Sequence, residues 1–309
     1  MRNKFAGKLL SKALLDKKIL LLTGDLGYGV LDEFAGKLPD QYLNVGVTEQ
    51  SMMSMAAGLA SKGFRPFVYS IANFPTLRCL EQIRNDVSYM NNPVTIVAVG
   101  AGLSYGNLGY THHATEDISI MRSFPNMTIY SPASPFEVEA CVEDILSNKS
   151  PAYLRLGKGG EKELHKTKDL NVSEPILLNQ GNEGFIVSIG ALTFMVLEIS
   201  QQLQAHGINP TIYSMPKITK HSVKLLLETV QDSYLLTIEE HILSGGFGSW
   251  ILEEANLGKF FAKISRIGIN NSFTESFGDQ NYMLNQFQIT PKNCVDAFLK
   301  LRKSSNQIK

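Results

Sequence analysis

The sequence has little that would tie it to an oxidising compartment, a membrane or a polyanion. Its three cysteines, Cys79, Cys141 and Cys294, are far apart and fit neither a disulfide framework nor a zinc motif. Lysine plus arginine and aspartate plus glutamate number 29 each, so no net charge favours nucleic acid or an anionic membrane. No run of about 18 apolar residues is present, so no membrane span is predicted. Residues 1–15 predict an amphipathic helix rather than a signal peptide, because lysines interrupt the apolar positions. We therefore expect a cytoplasmic protein that acts on small molecules or contacts other proteins.

Short β-rich runs alternate with helical stretches along nearly the whole chain. With 309 residues, 44% of them hydrophobic, the chain exceeds the usual size of one domain. Strict alternation predicts parallel strands joined by helical crossovers. The fold class is therefore α/β, with two open, mainly parallel, doubly wound sheets. The strands expected in the first half are KILLLTGD, YLNVGV, RPFVYSI, PVTIVAVGA, NMTIYSP and AYLRLG.

The predicted domain boundary lies where the apolar periodicity fades. Residues 161–182 are rich in charge and contain Pro175, as is typical of a surface linker between domains. We assign residues 1–160 to a first domain and residues 183–309 to a second one with its own α/β pattern. In such sheets, ligands bind beyond the carboxyl ends of the strands.

Glu49 raises a chemical question because it lies between an apolar stretch and a helix of small residues, in VGVTEQSMMSMAAGLASKG. An ordinary explanation is an acid at a helix N-terminus, stabilised by the helix dipole with Thr48 as the cap. The other explanation is a functional carboxylate in a ligand site. Residue type alone leaves both open.

The order of several landmarks resembles the C-terminal half of transketolases, which consists of a pyrimidine-binding domain and a C-terminal domain. Split transketolases, in which two polypeptides carry the two halves, are similar in kind. Deoxyxylulose-phosphate synthases and the β subunits of 2-oxo-acid dehydrogenases share the same pair of domains. The supporting segments are VGVTEQ (45–50), FVYSIANFPTLRCLEQIRND (67–86), GYTHHATEDISIMRSFPNMTIYSPAS (109–134), PAYLRLGKG (151–159) and IEEHILSGGFGSWILEE (238–254).

The resemblance implies that Glu49 contacts thiamine diphosphate. In this superfamily the matching glutamate hydrogen-bonds a ring nitrogen of the aminopyrimidine, and the cofactor then generates its own reactive carbanion. Phe74 matches the aromatic residue that stacks on that ring, and Ile71 and Leu77 stand where further aromatic residues are common. Asp25 matches an aspartate lining the same cavity. The alternatives are a core position for Phe74 and a simple turn for Asp25.

Substrate contacts are implied for three further residues. His112 matches the histidine of the family's THQ motif, which hydrogen-bonds ketose oxygens or moves their protons, and His113 replaces the usual glutamine. Arg2 and Lys158 match basic positions that hold a substrate phosphate. Solvated loop histidines are the alternative for His112 and His113.

The chain lacks the glycine-aspartate-glycine motif and following asparagine with which these enzymes hold the cofactor's diphosphate through Mg²⁺. The resemblance therefore implies that this chain supplies no metal ligand. An N-terminal transketolase-like subunit would supply the diphosphate and Mg²⁺ site, in an α2β2 assembly built on a homodimer of this chain.

Four departures from the family pattern concern the substrate. Gly100 and Leu108 stand where transketolases carry a histidine and an aspartate, Lys158 replaces an arginine, and Gly29 replaces a serine. Side chains that hydrogen-bond a substrate hydroxyl are left unpaired when the hydroxyl is missing. A site without such side chains avoids this cost, so it tolerates a modified sugar. We expect transfer of a two-carbon ketol unit with an unusual sugar. The alternatives are a pyruvate-using subunit of the deoxyxylulose-phosphate synthase or dehydrogenase type and a non-catalytic structural partner; a Rossmann dehydrogenase is disfavoured because no G-x-G-x-x-G follows the first strand.

Overall fold

The computed structural model describes residues 1–306, and it contains two sheets flanked by helices. The strands are β1 Ile19–Thr23, β2 Tyr42–Asn44, β3 Arg65–Ile71, β4 Thr95–Val99, β5 Thr128–Tyr130, β6 Ala152–Leu156, β7 Ile176–Asn179, β8 Phe185–Ser188, β9 Thr211–Ser214, β10 Lys217–Ile218, β11 Tyr234–Ile242 and β12 Lys263–Ile269. The helices are α1 Arg2–Ala13, α2 Asp32–Lys37, α3 Glu49–Ser61, α4 Leu80–Gln82, α5 Asp117–Met121, α6 Pro135–Ser147, α7 Thr193–Ala205, α8 Lys220–Val230, α9 Phe247–Gly258, α10 Gln280–Gln286 and α11 Pro291–Asn306. Within the described residues, no helix combines the length and apolar character needed to cross a bilayer.

The first sheet has seven strands in the order β10-β5-β6-β4-β3-β1-β2. The six strands of the first half are parallel, and β1, β4 and β6 are buried along their whole length, as expected for strands covered on both faces. Helices α1 and α6 pack on one face, around Phe5, Leu9 and Val142, while α3 covers the other face. The predicted fold class is confirmed for this half of the chain.

The second sheet has five strands in the order β12-β11-β8-β9-β7. Four are parallel, and β7 is an antiparallel edge strand paired with β9. Because β7 lies inside residues 161–182, the linker prediction is wrong for its last part. The Ile176–Leu178 run is apolar and completes the sheet edge, so only the residues before it connect the two sheets.

The apolar pattern of residues 74–90, FPTLRCLEQIRNDVSYM, predicts a single helix, but the structure divides this segment. A 3₁₀ turn at Leu77–Cys79 leads into α4, which continues as a π-helical segment, Ile83–Tyr89. Pro75 explains the late start, since the residue before a proline is disfavoured in the helical region. Phe74 is thereby left in the loop that follows β3.

The two halves share a core rather than packing as separate bodies. Strand β10 comes from the second half and pairs antiparallel with β5 of the first sheet. Between the sheets, the Arg155 guanidinium donates to the Asp117 carboxylate at 2.7 Å and to the Glu240 carbonyl at 3.0 Å, and all three residues are buried. Removing either partner of this buried ion pair would leave an uncompensated charge, so the pair holds together the elements that carry it.

Candidate active site

The candidate site lies at the carboxyl edge of the first sheet, where the order of strands reverses. Strand β1 has β2 on one side and β3 on the other, which opens a crevice beyond their ends. Asp25 follows β1, Glu49 follows β2 and Phe74 follows β3. Three of the residues predicted from the sequence are therefore placed around one crevice by the topology.

Glu49 is the first residue of α3 and is only 2% exposed. Its Oε2 accepts a hydrogen bond from Arg78 Nη1 at 2.6 Å, forming an ion pair. Thr48 does not cap the helix with its side chain, since its hydroxyl donates to the Val45 carbonyl at 2.9 Å. Among the described residues, no hydrogen bond reaches Glu49 Oε1. A buried carboxylate with one paired and one open oxygen differs from an ordinary solvated acid at a helix start.

Glu49 also affects the chemistry of the neighbouring thiol. Burial, followed by the charge of the nearby Glu49 carboxylate, raises the pKa of Cys79 to about 12. The thiol is therefore protonated at neutral pH and provides no nucleophile in the crevice.

The Phe74 ring contacts both Arg78, which is paired with Glu49, and His112. The Arg78 guanidinium carbon lies 4.8 Å from the centre of the Phe74 ring, over its face. The imidazole of His112 meets the same ring edge-on, with centroids 5.3 Å apart. Glu49, Arg78, Phe74 and His112 therefore form one continuous row of contacts.

The loop that carries His112 is closed by a backbone bridge and by a side-chain hydrogen bond. Gly102 and Ala114 form an antiparallel bridge at its base, and Asn73 Nδ2 donates to the Thr111 carbonyl at 3.2 Å. The His112 Nδ1 atom lies 3.0 Å from the Thr111 hydroxyl. These contacts hold the imidazole of His112 at the edge of the crevice.

His113, the residue beside His112, has a different environment. It is 2% exposed, and its Nε2 atom is buried without a hydrogen-bond partner among the described residues. Burial lowers the pKa of His113. Its imidazole is therefore neutral near pH 7 and is a packing residue rather than a solvated loop histidine.

Asp25 lies in the loop after β1 and has a left-handed backbone, φ 58°. Its Oδ1 accepts from the Tyr28 hydroxyl at 2.6 Å and from the Asn44 amide at 3.1 Å, and these bonds lower the pKa of Asp25. The preceding Gly24 is beside Glu49, because a Cβ on this glycine would lie 4.0 Å from Glu49 Cγ. The residue before Asp25 therefore packs beside Glu49.

Arg2 and Lys158 form a second cluster, at the ends of α1 and β6. Together with Met1, Asn3, Gly159 and Gly160 they line a cavity of about 550 Å³. Arg2 Nε is buried without a partner among the described residues, and the Lys158 ammonium lies 5.2 Å from the Tyr105 ring centre. Two cations with unused donors suit an anionic ligand.

Tyr105 occupies the space beside Gly100. Gly100 has φ +92°, and a Cβ built on it would lie 2.2 Å from two carbons of the Tyr105 ring. Any side chain at position 100 would therefore displace this ring. Leu108, the other position that departs from the transketolase pattern, is 49% exposed. An aromatic ring and an aliphatic side chain thus line the region where the family pattern has polar groups.

Two residues that contact the candidate site, Arg78 and Tyr105, were missed from the sequence. Arg78 follows Phe74 by four positions, a spacing that would have indicated a contact if the segment were a regular helix. Tyr105 left no such signal. Ile71 ends β3 and is half-buried, and Leu77 is 39% exposed; both are aliphatic, so Phe74 is the aromatic residue among these three positions. No cluster of three or more possible metal-ligating side chains occurs in residues 1–306.

Comparison with known proteins identifies the family. The transketolase pyrimidine-binding domain matches residues 1–160, and the transketolase C-terminal domain matches residues 175–294. The chain belongs to the transketolase family. One subunit of an apulose-4-phosphate transketolase from Actinobacillus succinogenes is 31% identical over 87% of each chain. A 6-deoxy-6-sulfo-D-fructose transketolase subunit from a Clostridium species is 28% identical over 99% of this chain and 95% of its own.

Solved structures support the same assignment. A split-gene transketolase, described as an inactive beta4 tetramer, superposes with a TM-score of 0.88 at 30% identity over 98% of both chains. The resemblance, the fold class and the prediction of a transketolase-type enzyme subunit are therefore confirmed. Membership of this family implies dependence on thiamine diphosphate.

The residues in the crevice fit the aminopyrimidine part of this cofactor. Glu49 offers one open carboxylate oxygen, and Phe74 offers the ring face not covered by Arg78. An acceptor and an aromatic face are the two features that a flat, nitrogen-containing ring requires. The roles of Glu49, Phe74, Ile71 and Asp25 as cofactor contacts remain predictions.

Proposed function

We propose that this chain is the catalytic C-terminal subunit of a split transketolase that transfers a two-carbon ketol unit to or from a modified sugar. Glu49 would bind and orient the aminopyrimidine of thiamine diphosphate, with Phe74 stacking on the ring. The cofactor, when bound, supplies the carbanion for carbon–carbon bond cleavage and formation. His112 would hydrogen-bond substrate oxygens and move their protons.

The main observation in support of this proposal is that the Glu49 carboxylate is buried in the crevice where the order of strands reverses. Burying a carboxylate at 2% exposure costs free energy unless it is paired or has a function. Arg78 satisfies one oxygen, and the other is open to a hydrogen bond from a ligand. Retention of Phe74 and His112 in contact with each other argues against a purely structural partner subunit.

The same proposal requires a second polypeptide. The sequence lacks the diphosphate motif, so an N-terminal subunit would hold Mg²⁺ and the diphosphate. The relative from Actinobacillus succinogenes is named as one subunit of its transketolase, which supports a partner for this chain as well. We propose an α2β2 assembly around a homodimer of this chain, with both active sites between subunits.

A modified sugar is favoured by the lining of the site. Tyr105 fills the volume beside Gly100, and Leu108 presents no hydrogen-bonding group. The two relatives described above are named for apulose 4-phosphate and for a sulfonated deoxyfructose, which are both unusual sugars. Arg2 and Lys158 would bind an anionic group of the substrate, either a phosphate or a sulfonate.

The test is reconstitution with the N-terminal subunit in the presence of thiamine diphosphate and Mg²⁺. Ketol transfer would be measured with a panel of phosphorylated, sulfonated and free ketoses, with pyruvate as a further donor. We expect transfer from at least one ketose with an anionic group, and no transfer by either subunit alone. Activity with pyruvate alone would contradict ketol transfer, and cofactor binding by the isolated chain with its own metal ion would contradict the split site.

Substrate binding at the Arg2–Lys158 cluster has its own test. In the reconstituted enzyme, Lys158→Met is expected to raise KM for the anionic ketose about tenfold or more, since a charge-assisted hydrogen bond is lost. Lys168→Met is the matched control, because this lysine lies over the Phe136 ring and lines neither of the cavities that contain Lys158. Equal KM values for both variants would remove Lys158 from the substrate site.

A further inference from the structure

Arg78 contacts both residues that are proposed to bind the aminopyrimidine. Its guanidinium donates to Glu49 at 2.6 Å and lies over the Phe74 ring at 4.8 Å. We infer that Arg78 is a positioning residue that sets the Glu49 carboxylate and the Phe74 ring in the relative geometry required by the cofactor. This inference rests on the proposed function of the crevice.

The contact with Glu49 uses only one carboxylate oxygen. Arg78 bonds Oε2, which fixes the rotation of the carboxylate and directs Oε1 to a ligand. The pair is asymmetric in burial, because the Glu49 side chain is 2% exposed and the Arg78 side chain is 47% exposed. The arginine therefore closes the outer side of the pair, while the inner side of the carboxylate stays available.

The contact with Phe74 selects one face of its ring. A guanidinium over an aromatic face is attracted by the ring quadrupole, and this contact excludes another group from that face. His112 occupies an edge of the same ring. A planar ligand that stacks on Phe74 is thus directed to the face opposite Arg78.

Arg78 is itself held by the helix that begins with Glu49. Gln50 Nε2 donates to the Arg78 carbonyl at 3.0 Å, so the first two residues of α3 contact the side chain and the backbone of the same arginine. This two-point connection joins the loop after β3 to the start of α3. A surface ion pair between mobile side chains would have no such backbone connection.

The experiment compares cofactor binding by three variants in the reconstituted complex. Arg78→Gln removes the charge and keeps a hydrogen-bonding group, and Arg78→Lys keeps the charge without the planar fork. Arg84→Gln is the matched control, since Arg84 lies on the following helical segment and donates to Asn85. The dissociation constant of thiamine diphosphate would be measured by near-UV circular dichroism titration at saturating Mg²⁺.

We expect Arg78→Gln to weaken cofactor binding about tenfold, equivalent to about 1.4 kcal/mol, and to change the shape of the dichroism of the bound ring. Arg78→Lys is expected to bind about threefold more weakly than wild type and to retain its spectral shape, whereas Arg84→Gln stays at the wild-type value. The Lys variant keeps the buried charge paired, so it tests the inference even if the Gln variant does not fold.

The inference is overturned if both Arg78 variants bind thiamine diphosphate like Arg84→Gln with an unchanged spectrum. It is also overturned if Arg78→Lys, when folded, binds as tightly as wild type. If the wild-type complex itself shows no cofactor dichroism, the proposed function fails instead of the role of Arg78. The two failures are therefore distinguishable in one series of titrations.

Discussion

Replacing Gly100 by alanine is expected to destabilise the chain through two separate effects. A residue with a side chain at φ +92° pays a backbone strain of about 1–2 kcal/mol. The new Cβ would also lie 2.2 Å from the Tyr105 ring, which must move from its position at a typical overpacking cost of about 1–3 kcal/mol. The sum is about 2–5 kcal/mol, which predicts a fall in Tm of roughly 3–8 °C for a chain of 309 residues.

A double-mutant cycle separates the two effects. In a Tyr105→Ala background the ring is absent, so Gly100→Ala should cost only the backbone strain of about 1–2 kcal/mol. Thermal and urea unfolding of the four isolated chains, followed by circular dichroism, would give both costs. A Gly100→Ala chain as stable as wild type would refute the geometry, and an equal cost in both backgrounds would refute the role of Tyr105.

Three further predictions concern titration and buried hydrogen bonds. Burial lowers the pKa of His113 in the folded chain. As the pH drops below about 6.5, the unfolded state therefore binds a proton at this histidine more readily than the folded state does, and stability falls. We expect His113→Gln to show a smaller fall in Tm between pH 7 and 5 than wild type. The Tyr28 hydroxyl is the main cause of the lowered pKa of Asp25, so Tyr28→Phe should move the NMR titration of Asp25 to higher pH, and an unchanged titration would contradict this hydrogen bond. Glu240 accepts from the Leu103 amide at 2.7 Å, so Glu240→Ala should cost about 1–3 kcal/mol in urea unfolding because it leaves a buried N–H unpaired; a loss below about 0.5 kcal/mol would be inconsistent with that bond.

Local pattern was sufficient for most elements of the fold. Strand β3 has the residues expected from its β-branched and aromatic run, and α3 begins at Glu49 as predicted. The exceptions are elements with too few residues to show a period. Strand β10 has two residues and depends on its pairing with β5. Strand β7 lies in a segment whose charge and proline indicated a linker.

The sequence was sufficient to name the site residues that belong to recognisable motifs. It did not show the contacts between residues that are distant in sequence. Glu49, Phe74 and His112 could be named from motifs, and the topology brings them to one crevice. Arg78 lies 29 positions from Glu49, and no periodicity relates the two. From the sequence, Gly100 was recognisable only as a glycine at a position where transketolases carry a histidine. The structure shows that Tyr105, five residues later in a folded loop, fills the volume beside it.

Turnover of a Glu49→Gln variant is the most direct test of the account. In the complex with the N-terminal subunit at saturating thiamine diphosphate and Mg²⁺, kcat for ketol transfer should fall by about 10²-fold or more, because the amide cannot act as an acid or base. Ser51→Ala, an exposed position on the first turn of α3, should retain kcat within about threefold. Wild-type kcat in the Glu49→Gln complex would contradict a catalytic role for this carboxylate.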